Sequence, residues 1–150
     1  LGGVVASGAV AAPFFGEPGG PMLRHGATYA GHPTCCAAAM AVLDAYEAEG
    51  LIERGRELEE PLRDALAPLA GHDAVGEVRA GLGLLGAVEL SESALAGDPA
   101  AVGKVAAGAR EAGVLVRPLL RGVAVSPPLT VEQEHLDALA GAIRAGLDRL

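Results

Sequence analysis

Large rings are almost missing from this sequence: tryptophan is absent, and two phenylalanines and two tyrosines bring the aromatics to only 3%. Since 51% of the residues are nevertheless hydrophobic, the core must be built from Ala, Val and Leu, packing through close backbone approach instead of broad aromatic faces. Basic charge is scarce as well. Eleven Lys and Arg against nineteen Asp and Glu leave a formal charge of -8, which excludes nucleic acid as a partner, because phosphate backbones are held by basic surfaces that release counterions. No apolar run approaches the ~20 residues of a membrane span, and the first residues lack the charged head and apolar body of a secretory leader. The expectation is a cytoplasmic protein with no membrane partner. Cysteine is limited to the adjacent pair Cys35 and Cys36. That rules out a disulfide framework, and both thiols are expected to be reduced and packed. Lysine occurs once, as Lys104.

Glycine is abundant, with 22 residues, and its placement carries the most specific signal. The decapeptide Arg24-His25-Gly26-Ala27-Thr28-Tyr29-Ala30-Gly31-His32-Pro33 sets two glycines around a threonine just before an alanine-rich stretch. Glycine permits close backbone approach or positive φ, Thr28 offers a hydroxyl beside a backbone N–H, and Pro33 suits the first turn of a helix. Such a loop can hold an anion, although a threonine there can equally cap its own turn.

Taken in order, Gly3 to Ser7 reads as a short buried strand, Ala9 to Phe15 as a helical turn ended by glycine, and Gly16 to Pro21 as a surface loop. From Pro33 to about Glu49 the spacing of Cys36, Met40 and Leu43 predicts a helix that Gly50 stops. A second helical stretch, Leu51 to Ala70, carries an apolar stripe of Leu58, Leu62, Leu66 and Leu69 and is kinked or restarted at Pro61. Strands are predicted at Gly76 to Arg79 and Leu84 to Leu90. Asp98-Pro99 then opens a helix closed by Gly113. Val114 to Arg117 and Val123 to Ser126 form a hairpin around Arg121-Gly122, and a capping box at Thr130 to Gln133 starts a last helix with Leu136, Leu139, Ile143, Leu147 and Leu150 buried. Residues 50 to 150 thus predict an α+β layer with antiparallel strands and flanking helices.

Several tempting motifs fail on context. Gly81, Gly83 and Gly86 spell G-x-G-x-x-G, but they lead into a strand, not a helix, so a hairpin is read and nucleotide binding refused. His25, His32, Cys35 and Cys36 have zinc-binding chemistry. Vicinal cysteines on a helix cannot both face one tetrahedral ion, and no metal site is expected. A nucleophilic serine arrangement is missing too. The acidic residues Glu57, Glu59 and Glu60 read as a solvated helix face. Arg117 lies among apolar neighbours, so its guanidinium either reaches an edge or faces a pocket that takes a carboxylate. Arg121, four residues on at a turn, reads as a solvated rival.

The decapeptide resembles the HGxTYxGHP segment of class III aminotransferases, enzymes of the fold type I class that use pyridoxal 5′-phosphate (PLP). Leu1 to Val5, Val78 to Gly83, Val116-Arg117-Pro118 and Ser126-Pro127-Pro128-Leu129 resemble further stretches of that family in the same order. The resemblance implies the C-terminal part of an α/β PLP-transferase fold: residues 1–32 as the end of the PLP-binding domain, 33–50 as a linking helix and 51–150 as the small domain. It implies a homodimer in which Thr28 contacts the phosphate of PLP held by the neighbouring subunit, and Arg117 clamps a substrate carboxylate. It further implies transfer of an amino group from an amine or ω-amino acid to a keto acid. The lysine to which PLP is joined in that family is expected before Leu1, so no catalytic residue is assigned within the chain. The alternatives are a racemase, aminomutase or decarboxylase on the same scaffold, or a non-catalytic structural or dimerisation piece.

Overall fold

The computed structural model describes residues 2–15 and 18–150. The chain divides into two compact units, residues 1–48 and 49–150.

The first unit holds α1 (Gly8–Phe15) and α2 (Pro33–Ala48). Ser7 starts α1, its carbonyl accepting the N–H groups of Val10 and Ala11. Gly3 to Ser7 form no strand: they have no regular structure and are exposed, with Val4 and Val5 almost fully open. A strand exists only through the ladder it shares with a neighbour. No described residue supplies one. The glycine expected to end α1, Gly16, lies outside the described residues. Helix α2 forms where predicted, yet Cys35, Cys36, Met40 and Leu43 are exposed, so neither thiol is packed.

The second unit is a four-stranded antiparallel sheet with helices on one face. Its elements run α3 (Leu51–Glu57), α4 (Glu59–Leu66), a 3-10 turn over Ala67–Gly71, β1 (Val75–Leu82), β2 (Leu85–Leu90), α5 (Glu92–Gly97), α6 (Ala101–Glu111), β3 (Arg117–Pro118), β4 (Gly122–Val125) and α7 (Gln133–Leu147). The strand order is β1-β2-β4-β3. Leu58, Leu62, Leu66 and Leu69 are all buried, as their spacing predicts. They meet Val88, Leu90, Val123 and Val125 from the sheet and Leu136, Leu139, Ile143 and Leu147 from α7. Leu150, beyond the helix end, stays exposed. Pro61 sits in the first turn of α4, where its missing N–H costs no helical bond, and the helix restarts there.

Some boundaries move for local reasons. Asp98 does not cap α6; it terminates α5, its Oδ1 accepts the Ala100 N–H at 2.8 Å, and α6 begins at Ala101. Helix α5 escapes the periodicity argument because it has only six residues, although Ser91 caps it through the Ala94 N–H. The capping box of α7 is formed by Glu132 and His135 rather than by Thr130 and Gln133.

Glycine allows the close approach that a ring-poor core needs. A Cβ on Gly146 would lie 2.3 Å from the Val105 carbonyl oxygen, and one on Gly108 would lie 2.6 Å from the Gly146 Cα. Helices α6 and α7 therefore touch backbone to backbone. Gly146→Ala is expected to cost about 3 kcal/mol, the upper range for overpacking, because the opposing atom is backbone and cannot swing aside. Gly141→Ala, at a helical position where an added Cβ meets nothing within 4 Å, is expected to stabilise by about 0.5–1 kcal/mol. Urea unfolding of both variants beside the parent checks the two signs.

The same two helices are joined at their ends by Arg149, which donates to Glu111 at 2.7 Å and holds that carboxyl below its ordinary range. A carboxyl depressed in the folded state adds stability above its unfolded pKa and loses it as pH falls through the folded value. Glu111→Gln is expected to melt below the parent at neutral pH and alongside it in acid, as thermal scans across that range would show.

Candidate functional site

In the first unit the decapeptide folds as two overlapping turns. The Ala30 N–H bonds to the Ala27 carbonyl at 2.9 Å and the His32 N–H to the Tyr29 carbonyl at 3.1 Å, with Gly31 at φ 71° between the turn and α2. A side chain at that φ is strained, which explains the glycine. The His32 carbonyl then accepts the Cys36 N–H and starts the helix. Tyr29 stands edge-on to His32 with ring centroids 5.6 Å apart, and His32 Nδ1 is buried with no hydrogen-bond partner among the described residues.

Thr28 is exposed at the crest of the first turn. Among the described residues, no hydrogen bond engages its hydroxyl or its backbone N–H. The stretch from Pro18 to Pro33 contains no Asp or Glu and carries Arg24 and His25. An unengaged hydroxyl next to unengaged N–H groups, free of competing carboxylates, is a donor set suited to a phosphate ester. Among the described residues no group of His, Cys, Asp and Glu is arranged to hold a metal ion.

In the second unit the sheet face away from the helices carries an open groove. Register places Arg79 opposite Ala87, Ala87 opposite Ala124, and Ala124 opposite Arg117. All four line the groove, together with Leu82 and Ser126. One row therefore crosses the whole sheet, with an arginine at each end and two methyl groups between them. At ~4.8 Å per strand the ends lie roughly 14 Å apart along the sheet. The glycine-rich stretch between β1 and β2 is the hairpin expected there, with Gly81 at φ 104° and Gly83 at φ 58°. The Gly83 N–H donates to Glu59 at 2.9 Å, so one member of the acidic run pins the hairpin instead of merely facing solvent.

The two arginines differ in what holds them. Arg79 pairs with Glu77 and, at 2.9 Å, with Glu89. Arg117 makes no ion pair among the described residues. It is exposed on β3, a strand of only two residues: Val114 to Val116, expected to belong to it, remain irregular. Arg121 is not a freely solvated turn residue: its Nε donates to Glu89 at 2.9 Å and its outer nitrogen to Glu92. Glu89 is thus held from both sides, and its carboxyl lies below the ordinary range, through Arg121 first and Arg79 second. Arg79 and Glu89 escaped the sequence reading; alternation along a hairpin, with Glu77, Arg79, Ala87 and Glu89 on one face, is the signal that finds them. The structure sets Arg117 and Arg79 at opposite ends of one groove. Thr28 belongs to the other unit.

Comparison with known proteins identifies the framework around these residues. The profile of the family described as Aminotransferase class-III matches residues 4–147. An omega-aminotransferase of Caulobacter vibrioides is 35% identical over 99% of this chain, and the match covers 34% of that protein. A 5-aminovalerate aminotransferase of Pseudomonas aeruginosa is 45% identical over 61% of this chain and 22% of its own length. Among solved structures, an amine transaminase from an uncultivated Pseudomonas species in a PLP-bound form superposes with a TM-score of 0.73. It is 40% identical and covers 85% of this chain, which spans 30% of that one. An (S)-enantioselective omega-transaminase from Thermomicrobium roseum superposes equally well, at a TM-score of 0.73 and 34% identity, over 86% of this chain and 30% of its own. The matches span between 22% and 34% of the length of these relatives. With its family profile matched almost from end to end and its sheet and helices superposing on transaminases, this chain belongs to the class-III aminotransferase family.

Proposed function

We propose that the protein carrying this chain is a PLP-dependent aminotransferase that moves an amino group from an amine or ω-amino acid to a keto acid. The observation that carries the reading is the contrast between the two groove arginines: Arg79 is tied to Glu77 and Glu89, whereas Arg117 is left without a carboxylate over an apolar floor. A guanidinium placed so can take a substrate carboxylate in a two-point bond and fix the substrate's orientation. The Ala87 and Ala124 methyls leave room beside it for a carbon chain.

Thr28 supports the cofactor half of the proposal. Its hydroxyl and N–H would donate to a phosphate oxygen of PLP bound in the neighbouring subunit of a dimer, and the lack of acidic residues from Pro18 to Pro33 keeps that position favourable to an anion. PLP, when bound, supplies the electron sink of the reaction. Lys104 is not proposed as its anchor, because it is paired with Asp98 at 2.6 Å on α6. The lysine that anchors PLP is proposed to lie before Leu1, and this chain by itself to be non-catalytic. In this scheme residues 1–32 belong to the PLP-binding domain of a fold type I enzyme, 33–50 to a linking helix and 51–150 to the small domain. Among the described residues no helix is long and apolar enough to cross a membrane, and the cytoplasm is the proposed address.

The native protein, supplied with PLP, an amine and pyruvate, is expected to form alanine. Release of an epimer or of CO₂ without alanine would instead assign a racemase or decarboxylase. Thr28→Ala is expected to weaken PLP binding roughly tenfold to a hundredfold, the worth of one bond to a charged acceptor, with Thr28→Ser largely restoring it. Equilibrium dialysis of the cofactor measures this. Arg117→Ala is expected to raise KM for an ω-amino acid by at least about tenfold while leaving an amine without a carboxylate near the parent value. Steady-state kinetics with the two donors compares them.

A further inference from the structure

The edge strand that presents Arg117 has few ladder bonds of its own, although Val116 before it packs on the core. Strand β3 is two residues long and lies at the edge of the sheet, and its second residue, Pro118, has no N–H to give to the ladder. The turn that follows is not anchored by burial, since Leu120 is 93% exposed. Its contacts are polar. The Leu119 N–H bonds to the Gly122 carbonyl at 2.8 Å, and the Arg121 carbonyl accepts the Leu90 N–H at 2.9 Å. The Arg121 guanidinium reaches Glu89 on β2 and Glu92 on α5. Glu89 spends its other oxygen on Arg79.

We infer that the ion pair between Arg121 and Glu89 is a positioning device for Arg117, fixing the edge hairpin so that one unengaged guanidinium faces the groove. Two effects combine. Tying Arg121 to the neighbouring strand and to α5 sets where the short strand leaves the sheet, and hence where the Arg117 side chain starts. Arg121, which lies outside the groove, also holds Glu89 where it occupies Arg79, the other arginine lining the groove, so an incoming carboxylate is directed to Arg117 alone. Arg121 and Glu89 touch no substrate in this scheme; they act through Arg117. The inference rests on the carboxylate-binding role proposed for that residue.

The test uses the native protein with two donors of equal length, an ω-amino acid and the corresponding amine without a carboxylate. Arg121→Gln is expected to raise KM for the carboxylate donor roughly three- to thirtyfold, the range for residues coupled through one network. KM for the plain amine and kcat for both donors should stay within about twofold of the parent. Arg121→Lys, which keeps the charge, should recover part of the loss. A melting scan accompanies each variant; should Arg121→Gln prove unstable, Glu92→Gln removes only the exposed half of the clamp and should shift KM in the same direction by less. Equal changes for both donors, or no change in either, would overturn the inference. Arg117→Ala separates the two levels: if it does not discriminate between the donors, the functional reading itself fails, and if it does while the Arg121 variants do not, only the positioning role is lost.

Discussion

Backbone proximity is the constraint on which the second unit depends. Without large side chains to bridge wide gaps, helices and strands must approach until main chain meets main chain, and that is possible only where Cβ is missing. Gly108 and Gly146 let α6 lie against α7, Gly86 lets Leu66 reach β2, and Gly122 sits 2.1 Å, measured from where its Cβ would be, from the Val88 carbonyl oxygen. The last of these belongs to the pairing of β2 with β4. The glycines that close the core therefore also bring Ala124 beside Ala87 and give the groove its floor.

Burying the helices on one side has a second result. Alternation along β2 and β4 sends Val88, Leu90, Val123 and Val125 inward, so Ala87, Glu89 and Ala124 must point the other way. The outward row is fixed by the same register that fills the core; a slip by one residue would exchange the two sets. Arg79 and Arg117 owe their shared groove to this coupling and not to any nearness in sequence.

What could be read from the chain follows this division between local and shared forces. The leucine stripe of α4 and that of α7 were legible because burial on one helix face repeats every three or four residues. The glycine-led hairpin between β1 and β2 was legible because positive φ has few other hosts. Val4 and Val5 misled because a strand is a property of a pair, and valine alone does not provide the neighbour. Thr130 misled because several polar residues near the start of α7 can take its first N–H, and Glu132 does so with His135; Asp98 misled because its carboxylate takes the Ala100 N–H, leaving Ala100 at the head of α6 without a side-chain cap. At the candidate site, Thr28 and Arg117 were singled out from their neighbours and given roles only by the family resemblance; Arg121 was misjudged because its partners Glu89 and Glu92 lie about thirty residues away. The class of fold and the family expected from the sequence agree with the antiparallel sheet, the flanking helices and the profile match.

The brevity of β3 bears on how this sheet meets other chains. An edge strand with a free ladder of N–H and C=O groups invites a stranger to add itself, and that is how folded proteins seed fibrils. Here one border is only two residues long and includes Pro118, and the other, β1, is interrupted by register shifts near Gly76 and Gly81 and carries Glu77 and Arg79. Neither border offers a run long or even enough to template growth, although the composition is unusually apolar.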